Sequence, residues 1–201
     1  MEYKESHIAL FPLNIFLLPG DYTQLYIFED RYKQLINDCI KDKMAFGIAF
    51  SNAINVQNLG SLVEVSEVIE RHPGGEMDIM VKAISVFQLE KFYIQKEGKL
   101  YPEGKVRELE AVRNVKLGHQ FLSRFREYLL KYKMYSSDVL AGMEPRIFDV
   151  ANEMYLGDQE KVELVGLADP EKMENYLRNY IRYLELLQVQ EKNVFQNIYL
   201  N

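Results

Sequence analysis

The chain is 201 residues long, with 48% hydrophobic and 12% aromatic residues and a formal net charge of −6. That is ample apolar material for one ordinary domain or two small lobes sharing a core, and it sets aside a disordered chain. The negative field repels phosphate backbones, so nucleic-acid binding would need a local basic patch, and no apolar run approaches the ~20 residues of a membrane-spanning helix.

From the amino end, Met1 to His7 lacks a basic stretch followed by an apolar one and does not read as a signal peptide, which leaves a cytoplasmic protein as the simplest expectation. Leu10 to Leu18 is an apolar run with Pro12 inside it; a proline cannot donate a ladder hydrogen bond, so Pro12 marks an edge or a bulge. Pro19-Gly20-Asp21 turns the chain, and Leu25 and Ile27 suit a second strand that would complete a first hairpin. Glu29-Asp30 ahead of Arg31 to Ile36 predicts a helix over about 30–41 with acidic residues in its first turn. Cys39, the single cysteine, falls between Ile36 and Ile40 in that helix. It rules out an intrachain disulfide and a cysteine-based zinc site, and reads as a buried, inert thiol.

From Leu59 to Leu109 the pattern alternates and turns. Leu62, Val63, Val65, Val68 and Ile69 are strand-like, Pro73-Gly74-Gly75 is a hairpin turn, and Met77, Ile79 and Val81 alternate with Asp78, Met80 and Lys82. Ile84 to Leu89 extend that strand, while Phe92 to Ile94 and Tyr101 to Val106 suggest two more short ones. After Glu110 the period becomes helical: Phe121, Phe125, Tyr128, Leu129 and Tyr132 predict a helix from near Asn114 to Lys133, broken by Tyr135-Ser136-Ser137-Asp138. Pro145 suits the first turn of a second helix, Gly157-Asp158 ends it and caps a third, and Asp169-Pro170 opens a long fourth as N-cap and N1. The expected class is α+β. A mostly antiparallel pseudo-barrel of about six strands with one helix spans 1–109, and a helical lobe of about four helices spans 110–201, with no flexible linker between them.

Phe28-Glu29-Asp30-Arg31-Tyr32, preceded by the apolar-proline run and Pro19-Gly20, resembles the opening of the amino-terminal, substrate-binding domain of ATP-dependent Lon proteases. Phe46-Gly47, Gly60 to Val65 and His72-Pro73-Gly74-Gly75 continue the resemblance in the family's order, and it runs through most of the chain. It implies a PUA-like pseudo-barrel, and binding of unfolded or exposed-hydrophobic polypeptide in cooperation with a protease or chaperone. One departure stands out: where the family carries a glycine and arginines, this chain has Ala83-Ile84-Ser85-Val86-Phe87, so no role of those arginines transfers.

Catalytic parts are missing from the sequence. Gly104-Lys105 is followed by Val106 and forms no phosphate-binding loop, no Gly-x-Ser-x-Gly elbow occurs, Ser136-Ser137 reads as a turn and cap, and His7, His72 and His119 are scattered. The expectation is a non-catalytic module without cofactor or metal, binding polypeptide through apolar and adaptable groups. The candidates are Phe11, Phe16, Tyr22 and Tyr26 from the first hairpin, with Met77 and Met80 near the Pro73 turn. Phe28, Glu29, Arg31 and Tyr32 read as structural, Arg31 bonding carbonyls where the lobes meet. Two alternatives remain open. PUA-like folds also bind RNA, for which Lys41, Lys43, Lys82 and Lys105 would be the basic cluster, and a groove between strands could hold a small molecule.

Overall fold

The computed structural model describes residues 5–132 and 145–199. Six strands, β1 (Glu5–Leu13), β2 (Tyr22–Ile27), β3 (Phe46–Phe50), β4 (Leu59–Arg71), β5 (Met77–Tyr93) and β6 (Glu103–Glu108), form one sheet in the order β2-β5-β4-β3-β1-β6. Because β6 pairs with β5 as well as β1, five strands close on themselves and β2 is left outside the ring. Every pairing is antiparallel except β1 with β3. The expected first hairpin does not form: β1 runs between β3 and β6, whereas β2 crosses to pair with β5. Nor are Phe92 and Tyr93 a separate strand; they are the end of the 17-residue β5. Pro12 does lie on a local edge, since pairing to β6 ends at Ala9 and only β3 flanks the strand beyond it.

The pattern of inward residues explains the first core. Tyr32, Leu35, Ile36 and Cys39 on one side of α1 (Asp30–Asp42) pack on Met77, Ile79, Val81 and Ala83 of β5. The helix ends where Lys43 adopts a left-handed conformation (φ 51°). The second core gathers α2 (Glu110–Arg113), α3 (His119–Lys131), α4 (Ile147–Glu153), α5 (Asp158–Gly166) and α6 (Pro170–Tyr199), and includes Phe16, Leu18, Phe50, Leu59 and Val86 from the strand-rich half. The segment between β1 and β2 is shared. Phe16 and Leu18 enter the helical core, while Leu17 enters the barrel core.

Polar bonds pin that segment on both sides. The Ser61 hydroxyl accepts from the Leu17 N–H (2.9 Å) and donates to its carbonyl (2.8 Å). Asn152 Nδ2 donates to the Pro19 carbonyl (3.0 Å), and Lys161 Nζ meets Asp21 at 2.7 Å. With side chains only 14% and 19% exposed, the Lys161–Asp21 pair is better shielded than an ordinary surface bridge.

Helix boundaries shifted where caps decided them. Instead of one helix from Asn114, the chain is extended through Val115 and α3 begins after Gly118; Lys116 bridges to Arg146, and the Ile147 N–H bonds the Val115 carbonyl. Pro145 precedes the N-cap Arg146 rather than occupying the first turn, and the Asp149 carboxylate accepts the Arg146 N–H at 2.8 Å. Gly157, not Asp158, is the N-cap of α5; the Asp158 carboxylate instead accepts the Phe16 N–H (3.2 Å) and so joins the lobes. Asp169 caps α6 as expected, accepting the Lys172 N–H at 2.9 Å. The Ser136-Ser137 break lies outside the described residues.

Gly60 marks the tightest approach in the barrel, because a Cβ there would sit 2.6 Å from Phe87 Cε2 and 2.7 Å from the Ile48 carbonyl oxygen. Gly60→Ala is therefore expected to cost about 1–3 kcal/mol by overpacking. Urea unfolding should give a lower midpoint with an unchanged slope.

Candidate functional site

The site grows from the strand left outside the ring. Among the described residues β2 has one strand partner, β5, and the Ala83 N–H bond to the Asp21 carbonyl (2.9 Å) sets the phase of the ladder. With Thr23 opposite Val81 and Leu25 opposite Ile79, the hydrogen-bonded pairs fall at Thr23, Leu25 and Ile27. Tyr22, Gln24 and Tyr26 consequently aim their N–H and C=O groups away from β5, towards the open side. An unpaired strand edge is a template for another extended chain.

Side chains on the outer face of this sheet align in rows. Tyr22, Gln24 and Tyr26 of β2 stand opposite Lys82, Met80 and Asp78 of β5, which stand opposite Glu64, Glu67 and Glu70 of β4. A regular strand would place every second residue outward; here register shifts between Val65 and Glu67 and between Val68 and Glu70 insert Ser66 and Ile69. The two bulges convert the spacing to three, so all three glutamates face outward while Val65 and Val68 pack on the barrel core.

Aromatic rings form the margin of the face. Tyr22, Tyr26 and Phe28 are 55%, 54% and 59% exposed. Phe28 stacks on Tyr26 with ring centroids 5.9 Å apart, His72 meets Tyr26 edge-on at 5.9 Å, and the Lys82 ammonium lies 5.3 Å from the Tyr22 centroid. Met80, half-buried, lies between Gln24 and Glu67.

His72 is held among acids at the hairpin end. Its Nε2 lies 2.8 Å from Asp78 Oδ2, its Nδ1 3.8 Å from Glu70, and Gln24 Nε2 donates to the other Asp78 oxygen at 3.2 Å. The hydrogen bond to Asp78 raises the His72 pKa above the ordinary imidazole value, with smaller help from the charge of Glu70. The same bond lowers the Asp78 pKa below the ordinary carboxylate value. These three residues are the one group of potential metal ligands among the described residues, with ligand atoms within 4.8 Å of one another, but a cation there would have to break the His72–Asp78 bond.

The sequence-chosen residues separate into two groups. Tyr22, Tyr26 and Met80 meet on this face. Phe11, Phe16 and Met77 do not, and are corrected to core: Phe11 stacks on Tyr32 at 3.9 Å, Phe16 is fully buried against Phe50, and Met77 has the inward parity of β5. In the signature, Tyr32 is buried, but Phe28 is at the surface; Arg31 pairs with Glu29 (2.7 Å) and lies over Tyr32 (4.6 Å) instead of bonding carbonyls between lobes. Gln24, His72, Asp78 and the glutamate row were missed. The three-residue spacing of Glu64, Glu67 and Glu70 inside a strand was their one visible signal.

Lys105 stands apart from the rest of the proposed lysine cluster. Lys105 pairs in register with Lys91, nine positions along β5 from Lys82, or roughly 30 Å at the rise of a strand. A groove of about 310 Å³ between the end of α1 and β4 is lined by Cys39, Lys43, Met44, Glu64 and Glu67. Burial raises the Cys39 thiol pKa to about 12, so it stays protonated there.

Because the folded pKa of His72 is raised, its pairing stabilises the hairpin fully below the ordinary imidazole range and is lost as pH rises through the raised value; the depressed Asp78 pKa sets the acid limit. Asp78→Asn should lower the His72 pKa measured by NMR titration of its ring protons and flatten the pH dependence of thermal stability above neutrality.

The sequence profile described as ATP-dependent protease La (LON) substrate-binding domain matches residues 7–193. No curated protein matches the chain. Among solved structures, a Lon N-terminal domain protein from Xanthomonas campestris superposes with a TM-score of 0.64 at 20% identity, covering 87% of this chain and 98% of its own. The N-terminal domain of a Mycobacterium avium complex Lon protease gives 0.63 at 15% identity, covering 88% and 98%. At such identities the likeness speaks for the fold, and the profile, spanning nearly the whole length, speaks for the family: the chain belongs to the LON substrate-binding domain family.

Proposed function

We propose that this chain is a recognition module without catalysis of its own, holding extended segments of unfolded polypeptide for a partner protease or chaperone. The observation that carries this reading is the unpaired edge of β2 beside the exposed rings of Tyr22, Tyr26 and Phe28. Unfolded chains differ from folded ones in offering free backbone groups and apolar side chains together, and strand addition uses both. Main-chain bonds at Tyr22, Gln24 and Tyr26 supply sequence-tolerant affinity, while the rings and the Met80 thioether adapt to varied side chains. The family description, which names substrate binding, supports the same reading. The separation of Lys105 from Lys82, the acidic neighbours of Lys43 and Lys82, and the net charge of −6 argue against RNA.

Gln24→Pro tests the edge specifically. The Gln24 N–H points away from β5, where a proline is tolerated, so the fold should survive while an added strand loses a donor and meets the ring. In anisotropy titrations with a labelled, permanently unfolded polypeptide, saturable binding absent with the folded counterpart is expected, and Gln24→Pro should weaken it about tenfold or more, some 1.4 kcal/mol. A normally melting Gln24→Pro protein that binds as wild type would overturn strand addition; should that variant misfold, the Tyr22→Ser/Tyr26→Ser protein provides the same comparison for the rings.

A further inference from the structure

We infer that the polypeptide segments this face accepts are cationic: extended stretches carrying lysine or arginine among apolar residues, with acidic stretches turned away. The inference rests on the reading above and names the class of its ligand. Its basis is the row Glu64, Glu67 and Glu70, which the two β4 bulges turn outward onto the same face as Tyr22 and Tyr26. All three glutamates are exposed. Asp78 stands between Tyr26 and Glu70 on this face, and Glu76 lies in the adjoining turn. Against these five carboxylates stand the ammonium groups of Lys33, Lys82 and Lys43 and the His72 imidazole; Lys33 is bonded to Asp30 and feels Glu76, and His72 is bonded to Asp78, so the three glutamates carry most of the uncompensated charge. Lys82 lies over Tyr22 and feels the charge of Glu64, and Lys43 lines the far groove together with Glu64 and Glu67.

The rings favour the same chemistry. The faces of Tyr22, Tyr26 and Phe28 attract cations, and Lys82 over Tyr22 is an instance already present in the protein. A lysine or arginine on a strand added beside β2 could lay its alkyl stem across an exposed ring while its charge points inward across the face. The tyrosine row and the glutamate row are two strand spacings apart, about 10 Å, which is close to the screening length at moderate salt. The acidic row therefore acts as a field over the binding edge and not as a set of fixed ion pairs. Selectivity should fall with salt, whereas binding through backbone pairing and ring contacts should persist.

The experiment uses two labelled unstructured peptides of equal length and identical apolar residues, one with lysine and the other with glutamate at the alternate positions. They are titrated by anisotropy into the wild-type protein and the Glu64→Gln/Glu67→Gln/Glu70→Gln variant at low and high salt. These side chains are exposed, so the variant should fold, and circular dichroism checks that it does. Expected is a preference of at least about tenfold for the lysine peptide at low salt, shrinking severalfold at high salt and largely abolished in the triple variant. Equal binding of the two peptides would overturn the charge selectivity and leave polypeptide binding standing. A lysine preference unchanged in the triple variant would overturn the assignment to the glutamate row. Binding of neither peptide would remove the recognition reading itself and this inference with it.

Discussion

The structure depends on β5. Over 17 residues this one strand pairs with β2, β4 and β6, and its buried residues reach all three apolar clusters. Met77, Ile79, Val81 and Ala83 meet α1, Val86 meets the helices, and Phe87 meets Leu10 and Val106. The change of partner occurs at an irregularity: Ser85 pairs with Leu62 and Ala83 with Val63, so Ile84 is passed over. A strand keeps strict alternation only while its ladder is regular, and one extra residue exchanges its faces. This is also the Ala83 to Phe87 stretch, where the sequence departs from the pattern that the family resemblance implies. Ala83, Ser85, Val86 and Phe87 are buried there, in surroundings where an arginine would need a charged partner.

The lobes are joined through shared residues rather than a flat interface. In the segment before β2, Phe16 and Leu18 complete the helical core, Leu17 completes the barrel core, and Ser61, Asn152, Asp158 and Lys161 satisfy polar groups along it. Burying a backbone segment between two cores is tolerable because its donors and acceptors find partners. That segment leads directly into β2, so the open edge begins at a fixed point of the molecule. A binding edge on an ordered scaffold loses less conformational freedom when a ligand adds to it.

Open edges carry an aggregation hazard, and this protein manages those of β4 and β2 differently. Beyond Val63, β4 has no β3 partner, but bulges and three outward glutamates disrupt any regular ladder there. β2 has no such protection: its residues are in unbroken register with β5, and rings instead of charges flank it. The contrast between a guarded and an unguarded edge within one sheet is what singles out β2 for the proposed docking role.

Much was legible in the sequence because it depends on local rules. Alternation located β4 and β5, the acidic first turn located α1, the Asp169-Pro170 cap located the start of α6, and the ordered set of short motifs identified the family. Tyr22, Tyr26 and Met80 could be picked as exposed adaptable groups, yet Phe11, Phe16 and Met77 look the same in sequence. Burial is decided by which face a residue takes and what is packed on it. Only the tertiary structure separated them, by sending β2 to β5 instead of β1, and only ladder register could bring Glu64, Glu67 and Glu70 into line with Tyr22 and Tyr26. The sequence by itself determined the elements, the class and the family, because these follow from periodicity, caps and local motifs. Strand order, bulges and the identity of the open edge were decided by pairing between distant segments, which local preferences do not encode.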